Sequence, residues 1–111
     1  DKANYSFKTR FEGEMKGTNP EELLGAALAG CFTMAVSAIL TKRGYNPTSL
    51  DTTATVKMEG LNIDTIHLSI SGHVMRLTAD EFSEVTNDAG KNCIISKALC
   101  TSITSEAHLI S

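Results

Sequence analysis

The sequence predicts an α+β fold in which one long apolar helix is buried against antiparallel strands. Three observations carry that prediction. The chain has no charged residue from Leu23 to Leu40, later segments alternate apolar and polar residues, and a second helix start falls between those alternating segments. A helix apolar on every side is either a core helix or a membrane span. Alternation with period two marks strands with one buried face. Strands with helices interspersed, without a regular strand–helix–strand repeat in the pattern, belong to the α+β class. With 111 residues, the chain makes one domain over 1–111 with one core.

The N-terminal stretch to Thr18 mixes polar and aromatic residues and carries Gly13 and Gly17, which reads as a strand end followed by a loop. A helix start follows. Asn19 caps it, Pro20 suits the first helical position, and Glu21 and Glu22 complement the positive end of the dipole. Lys42, Arg43 and Gly44 stop it. The uncharged stretch between these signals reaches the lower edge of a membrane span. Its richness in Gly and Ala, with no flanking aromatic belt, favours a core helix and excludes a membrane as partner.

Pro47 to Ser49 reads as a turn. Thr52–Glu59 and Ile63–Val74 read as antiparallel strands joined across Gly60-Leu61-Asn62, with Ala54, Val56 and Met58 on one inner face and Ile66, Leu68 and Ile70 on the other. Thr78-Ala79-Asp80-Glu81 is a capping box opening a second helix, with Phe82, Val85 and Ala89 inward and Gly90 as its stop. Asn92 is positioned to cap a third helix through about Leu99, and Thr101 to Ile110 alternates again as a strand. Two or three strands do not cover a helix this apolar. The pattern therefore asks for further N-terminal strands, a partner subunit, or both.

Charge and cysteine usage exclude several function classes. The net charge is −3 and no Lys/Arg run occurs, which excludes a nucleic-acid surface. Three cysteines are too few for a disulfide framework, and neither C-x-x-C nor a zinc spacing is present, so no metal is expected. A reducing, cytoplasmic compartment fits this usage. His67, His73 and His108 read as surface residues.

Cys31 lies mid-helix in A-L-A-G-C-F. The ordinary reading of such a cysteine is an inert core residue, yet Ala29 and Gly30 leave room for a molecule to approach the sulfur. A reactive cysteine must be a thiolate. The dipole fades within the first turn, and apolar surroundings raise a thiol pKa, so a nearby cation must do the ionising. Arg10, in F-K-T-R-F-E-G, is the first candidate and Lys8 the second. Cys93 follows Gly90-Lys91-Asn92 at the expected start of the third helix, where the dipole and Lys91 favour a second thiolate. Cys100 has no such support and reads as structural.

The segment N-P-E-E-L-L-G-A-A-L-A-G-C-F, Asn19 to Phe32, resembles the OsmC/Ohr family of organic hydroperoxide reductases. T-R-F-E-G-E, G-Y-N-P-T-S-L-D-T-T-A-T-V and C-I-I-S-K-A-L agree with it, and T-R-F-E-G with N-P-E-E-L resembles the OsmC branch. The resemblance implies a thiol peroxidase in which Cys31 is peroxidatic and Cys93 resolving. It further implies that Arg10 stabilises the thiolate and orients the peroxide, while Glu21 holds that arginine. It implies an intertwined homodimer with sites at the subunit interface, an organic hydroperoxide substrate, an external dithiol reductant such as a lipoyl group, and no bound cofactor. Met34, Leu28 and Phe32 are the expected hosts for the alkyl tail. Family members begin with N-terminal strands not seen here, and Ile94 stands where the family tends to have Pro. Glu21 and Cys31 are ten residues apart, about 15 Å along one helix, so the expectation is that one site draws them from different subunits. A non-catalytic binding protein of the same fold, or a thiol redox sensor, is the alternative reading.

Overall fold

The computed structural model describes residues 4–12, 19–59, 62–92 and 102–110. The elements are β1 (Asn4–Glu12), α1 (Asn19–Lys42), β2 (Pro47–Glu59), β3 (Asn62–Val74), α2 (Ala79–Asn92) and β4 (Ser102–Leu109). They form one sheet in the order β1-β2-β3-β4. β2 and β3 are antiparallel, while β1 with β2 and β3 with β4 are parallel.

The mixed α+β class agrees with the sequence, but the sheet is not antiparallel throughout. It consists of two strand–helix–strand units, β1-α1-β2 and β3-α2-β4, joined by the β2–β3 hairpin. Alternation reveals which face of a strand is buried and is silent on its direction. Each helix carries the chain back along the sheet, so the strand after it lies parallel to the strand before it. Both helices sit on one face, because Phe82 of α2 and Leu50 of β2 crowd the same glycine, Gly72 of β3. The strand order advances while the strand direction reverses between the units, so the two crossovers have opposite hands. One of them is therefore left-handed, against the strong preference for right-handed connections.

Three local expectations are corrected. The N-terminal stretch supplies a full edge strand, β1. Pro47–Ser49 begins β2 instead of forming a turn, and the first residue of a strand is a position proline tolerates. Gly90 does not stop α2, which runs on to Asn92; a mid-helix glycine costs only about 1 kcal/mol. Asn92 is the last described residue of α2. The expected third helix, with Cys93 and Cys100, lies outside the described residues.

The helix signals elsewhere behave as read. Gly44 adopts φ +93°, which lets the Tyr45 N–H reach the Leu40 carbonyl at 2.9 Å and the Gly44 N–H reach that of Thr41 at 3.0 Å. This is a Schellman termination. At the start of α2, the Glu81 N–H donates to Thr78 Oγ1 at 3.1 Å.

The core lies between the sheet and the inward faces of both helices. Leu28, Phe32, Val36 and Leu40 of α1 meet Leu50, Ala54 and Val56 of β2, Ile66, Leu68 and Ile70 of β3, and Phe82, Val85 and Ala89 of α2. The expectation of a helix buried on every side is not met within one chain. Leu23 is 70% exposed and Met34 56%, and Ala27 and Ala38 are exposed with them. At 100° per residue these four positions make one outward stripe. By length and composition Glu22–Lys42 is apolar enough to cross a membrane, a test that core helices also pass; its inward face is packed on the sheet.

Candidate active site

The path of β1 across α1 decides where the chemistry-bearing residues lie. Tyr5 Oη and Ser37 Oγ are 2.6 Å apart. The Phe7 ring lies over Gly30, where a Cβ would come within 3.4 Å of it, and Thr9 presses on Gly25, where a Cβ would come within 2.5 Å. Thr9 Oγ1 also donates to the Glu22 carbonyl at 3.2 Å. The strand therefore advances as the helix recedes, from Ser37 back to its first turn. Small helix residues make this contact possible, as Gly25 and Gly30 admit the strand side chains.

Strand alternation then fixes Arg10. Tyr5, Phe7 and Thr9 face α1, so Ser6, Lys8 and Arg10 face the other side of the sheet. Ser6 confirms this by donating to Asp51 of β2, and Arg10 is exposed. Arg10 adjoins Thr9 and hence the first turn of α1, which contains Glu21. Cys31 stands ten residues further along α1, about 15 Å away along its axis. One chain thus places Arg10 near the end of α1 that carries Glu21, but on the far face of the sheet, and holds Cys31 at the helix middle. The face that β1 turns to α1 does not carry Arg10 to Cys31.

Cys31 is a thiol, half-buried at the flank of the outward stripe. It packs against the core on one side, and Ala27 and Met34 lie exposed one turn before it and one turn after it. The expected alkyl hosts need correcting. Leu28 and Phe32 point into the core with no exposed surface, so they cannot line an open site. Met34 is accessible, as is Phe7 at 45% exposure, a residue sequence reasoning passed over because an edge-strand aromatic has no local mark of function.

α2 runs antiparallel to α1. At one end Arg43 meets Glu81 and Glu84. At the other a Cβ on Gly90 would lie 4.0 Å from the Phe32 ring. α2 thus runs towards the middle of α1, and Cys93 lies outside the described residues. The dipole argument for a Cys93 thiolate concerns residues outside the described ones and stays an expectation. Lys91 is exposed in the last turn of α2.

Among the described residues no group of His, Cys, Asp and Glu is placed to hold a metal. A polar cluster does occur on the sheet face opposite α1. His67 donates through Nε2 to Glu106 Oε1 at 2.8 Å, and His108 through Nε2 to Glu106 Oε2 at 2.5 Å. These hydrogen bonds, His108 first, hold the Glu106 carboxyl down to about 2. Histidines read singly as surface residues thus converge on one carboxylate. The sequence hides this because the parallel β3–β4 register, with Ser69 opposite Glu106, is not written in either strand alone.

Fold and site together define a class of protein: a mixed sheet carrying a long central helix, with a thiol at mid-helix and a glutamate in the first turn. The sequence profile described as OsmC-like protein matches residues 12–107, and the chain belongs to that family. It is 45% identical over 109 residues to "Peroxiredoxin OsmC" of Escherichia coli, covering 95% of this chain and 76% of that protein. "Organic hydroperoxide resistance protein-like 1" of Staphylococcus saprophyticus is 33% identical over 87 residues, covering 75% of this chain and 62% of that protein. An OsmC-like crystal structure from Mycoplasma pneumoniae superposes with a TM-score of 0.76 at 18% identity, covering 87% of this chain and 75% of that one.

Proposed function

We propose that this chain is a cytoplasmic, thiol-dependent peroxidase that reduces organic hydroperoxides to alcohols, acting as a homodimer. The observation that carries this reading is the position of Cys31, at the accessible edge of an apolar helix face in a chain 45% identical to a peroxiredoxin. The Cys31 thiolate attacks the distal oxygen of R–O–O–H. The O–O bond breaks, the alkoxide takes a proton and leaves as the alcohol, and Cys31 becomes a sulfenic acid. The Cys93 thiol attacks that sulfur, water leaves, and a disulfide forms. An external dithiol such as a lipoyl group restores both thiols by exchange, being oxidised to its own disulfide. Arg10 stabilises the thiolate and polarises the peroxide, and Glu21 holds Arg10.

Two chains are required. Pairing two copies of α1 antiparallel through Leu23, Ala27, Met34 and Ala38 covers the exposed stripe of each. In this reading Arg10 and Glu21 of one chain serve the Cys31 of the other. Phe7, outside the paired stripe, then offers apolar surface for an alkyl chain, which favours organic hydroperoxides over hydrogen peroxide.

The test is multiple-turnover consumption of cumene hydroperoxide with dihydrolipoamide as reductant. Wild type turns over many equivalents and Cys31→Ser consumes none above background. A Cys31→Ser variant that keeps turning over removes the nucleophile assignment. Consumption limited to a single equivalent by wild type supports the sensor reading instead.

A further inference from the structure

The middle of α1 carries a buried polar pair among apolar neighbours. Thr33 Oγ1 lies 2.7 Å from the Ala29 carbonyl and 2.6 Å from Thr52 Oγ1 of β2. A hydroxyl has one proton to donate. Thr33 gives its proton to the carbonyl, so Thr52 donates to Thr33 and both donors are satisfied. Thr33 has no exposed surface and Thr52 only 1%. Thr52 stands opposite Phe7 in the β1–β2 register, and the Phe7 ring lies over Gly30. The turn of α1 that bears Cys31 therefore rests on Phe7 and on the Thr33–Thr52 bond. One turn further on, Ser37 meets Tyr5 of β1 at 2.6 Å.

We propose that Thr33 and Thr52 are positioning residues for Cys31: their hydrogen bond fixes the rotation of α1 about its own axis and so holds the sulfur at the edge of the outward face. The inference rests on Cys31 being the reactive thiol of the reading above. Apolar burial is non-directional. The exposed Leu23, Ala27, Met34 and Ala38 are of the same kind as the buried Leu28, Ala29, Phe32 and Val36, so apolar area discriminates weakly between small rotations of this helix. A rotation that parts Thr33 from Thr52 leaves a buried hydroxyl without its partner, which costs more than the bond itself contributes. Satisfied buried polar pairs specify one arrangement of a core in this way. Cys31 and Thr33 are two residues apart, about 200° around the axis, and so stand on nearly opposite sides of α1. A rotation of about 20° moves a side-chain tip, about 5–6 Å from the axis, by about 2 Å. That carries a half-buried sulfur under cover or into the open.

The test separates position from stability and uses no peroxide. The full chain is alkylated with iodoacetamide, the rate at Cys31 is read by peptide-mapping mass spectrometry, and each variant is unfolded in urea alongside. Thr33→Val/Thr52→Val removes both hydroxyls and keeps the shape, so no unpaired group is left. Its unfolding midpoint equals or exceeds that of wild type, because apolar cores of the right volume lose uniqueness before stability. Its Cys31 rate constant departs from wild type by roughly threefold or more, since alkylation follows access to the sulfur and its ionisation. Thr33→Ser, which keeps the hydroxyl, retains the wild-type rate. If the double variant does not fold, Thr52→Val, which leaves Thr33 donating to Ala29, carries the same comparison. A folded variant without the pair that alkylates Cys31 at the wild-type rate overturns the proposal. So does an equal change of rate in Val85→Ala, which loosens the core without touching either hydroxyl. A chain in which the pair controls the alkylation rate, yet which consumes no hydroperoxide, overturns the peroxidase reading and leaves the positioning role standing.

Discussion

The two faces of α1 are built from the same kinds of residue and meet opposite fates. Leu28, Phe32, Val36 and Leu40 are sealed against the sheet, while Leu23, Ala27, Met34 and Ala38 stand exposed in a single chain. Composition does not separate them; the path of β1 and the placement of α2 do. The inward face makes the fold, and the outward face, with Cys31 on its flank, is left for something else to cover. An apolar helix face left uncovered by the described residues is where the proposed homodimer would pair.

That contrast is broken most forcefully at Phe32 and Met34, two residues apart. Phe32→Ala opens a core cavity and destabilises by about 3–5 kcal/mol. Met34→Ala stays within about 0.5 kcal/mol for the isolated chain. Urea unfolding of the two variants checks this. Equal costs would mean that the outward face is as well packed as the inward one.

A smaller effect separates the two glycines that admit β1. Gly25→Ala drives a Cβ to 2.5 Å from Thr9 and destabilises by about 1–3 kcal/mol. Gly30→Ala meets only the partly exposed Phe7 ring at 3.4 Å and is neutral or stabilising by up to about 1 kcal/mol, because alanine favours the helix. Opposite signs in thermal melts support the strand path that sends Arg10 away from α1. Matching signs would move β1.

The smallest effect concerns the sheet face opposite α1. The folded Glu106 carboxyl sits near 2 against an ordinary value of 4.5. A depressed carboxylate contributes stability that is complete above the ordinary value and is lost as pH falls through about 2. Glu106→Gln therefore narrows the acid stability difference between pH 5 and pH 2 while leaving hydroperoxide turnover at neutral pH unchanged. A change in turnover would tie this cluster to Cys31.

Much of the fold was legible in local patterns. The cap at Thr78, the stop at Gly44 and the inward faces of β2 and β3 depend on neighbours within a few residues, which a sequence displays directly. The parallel pairings, the full length of β1 and the His67–Glu106–His108 meeting depend on contacts between distant strands, and no local period encodes them. Gly90 misled because a single glycine's weak helix propensity does not by itself end a helix. At the candidate site, Cys31, Arg10 and Glu21 were found by residue type and resemblance. The separation of Glu21 from Cys31 was already written in their spacing, while the turning of Arg10 away from α1 emerged only from the strand path.

The most direct test of the account is a mixed dimer of differently tagged Cys31→Ser and Glu21→Ala chains, purified through both tags and assayed for hydroperoxide turnover. One of its two sites then keeps an intact cysteine facing an intact glutamate from the other chain, so activity recovers to about half that of wild type. Turnover no higher than that of either mutant homodimer would contradict a site assembled across two copies of α1.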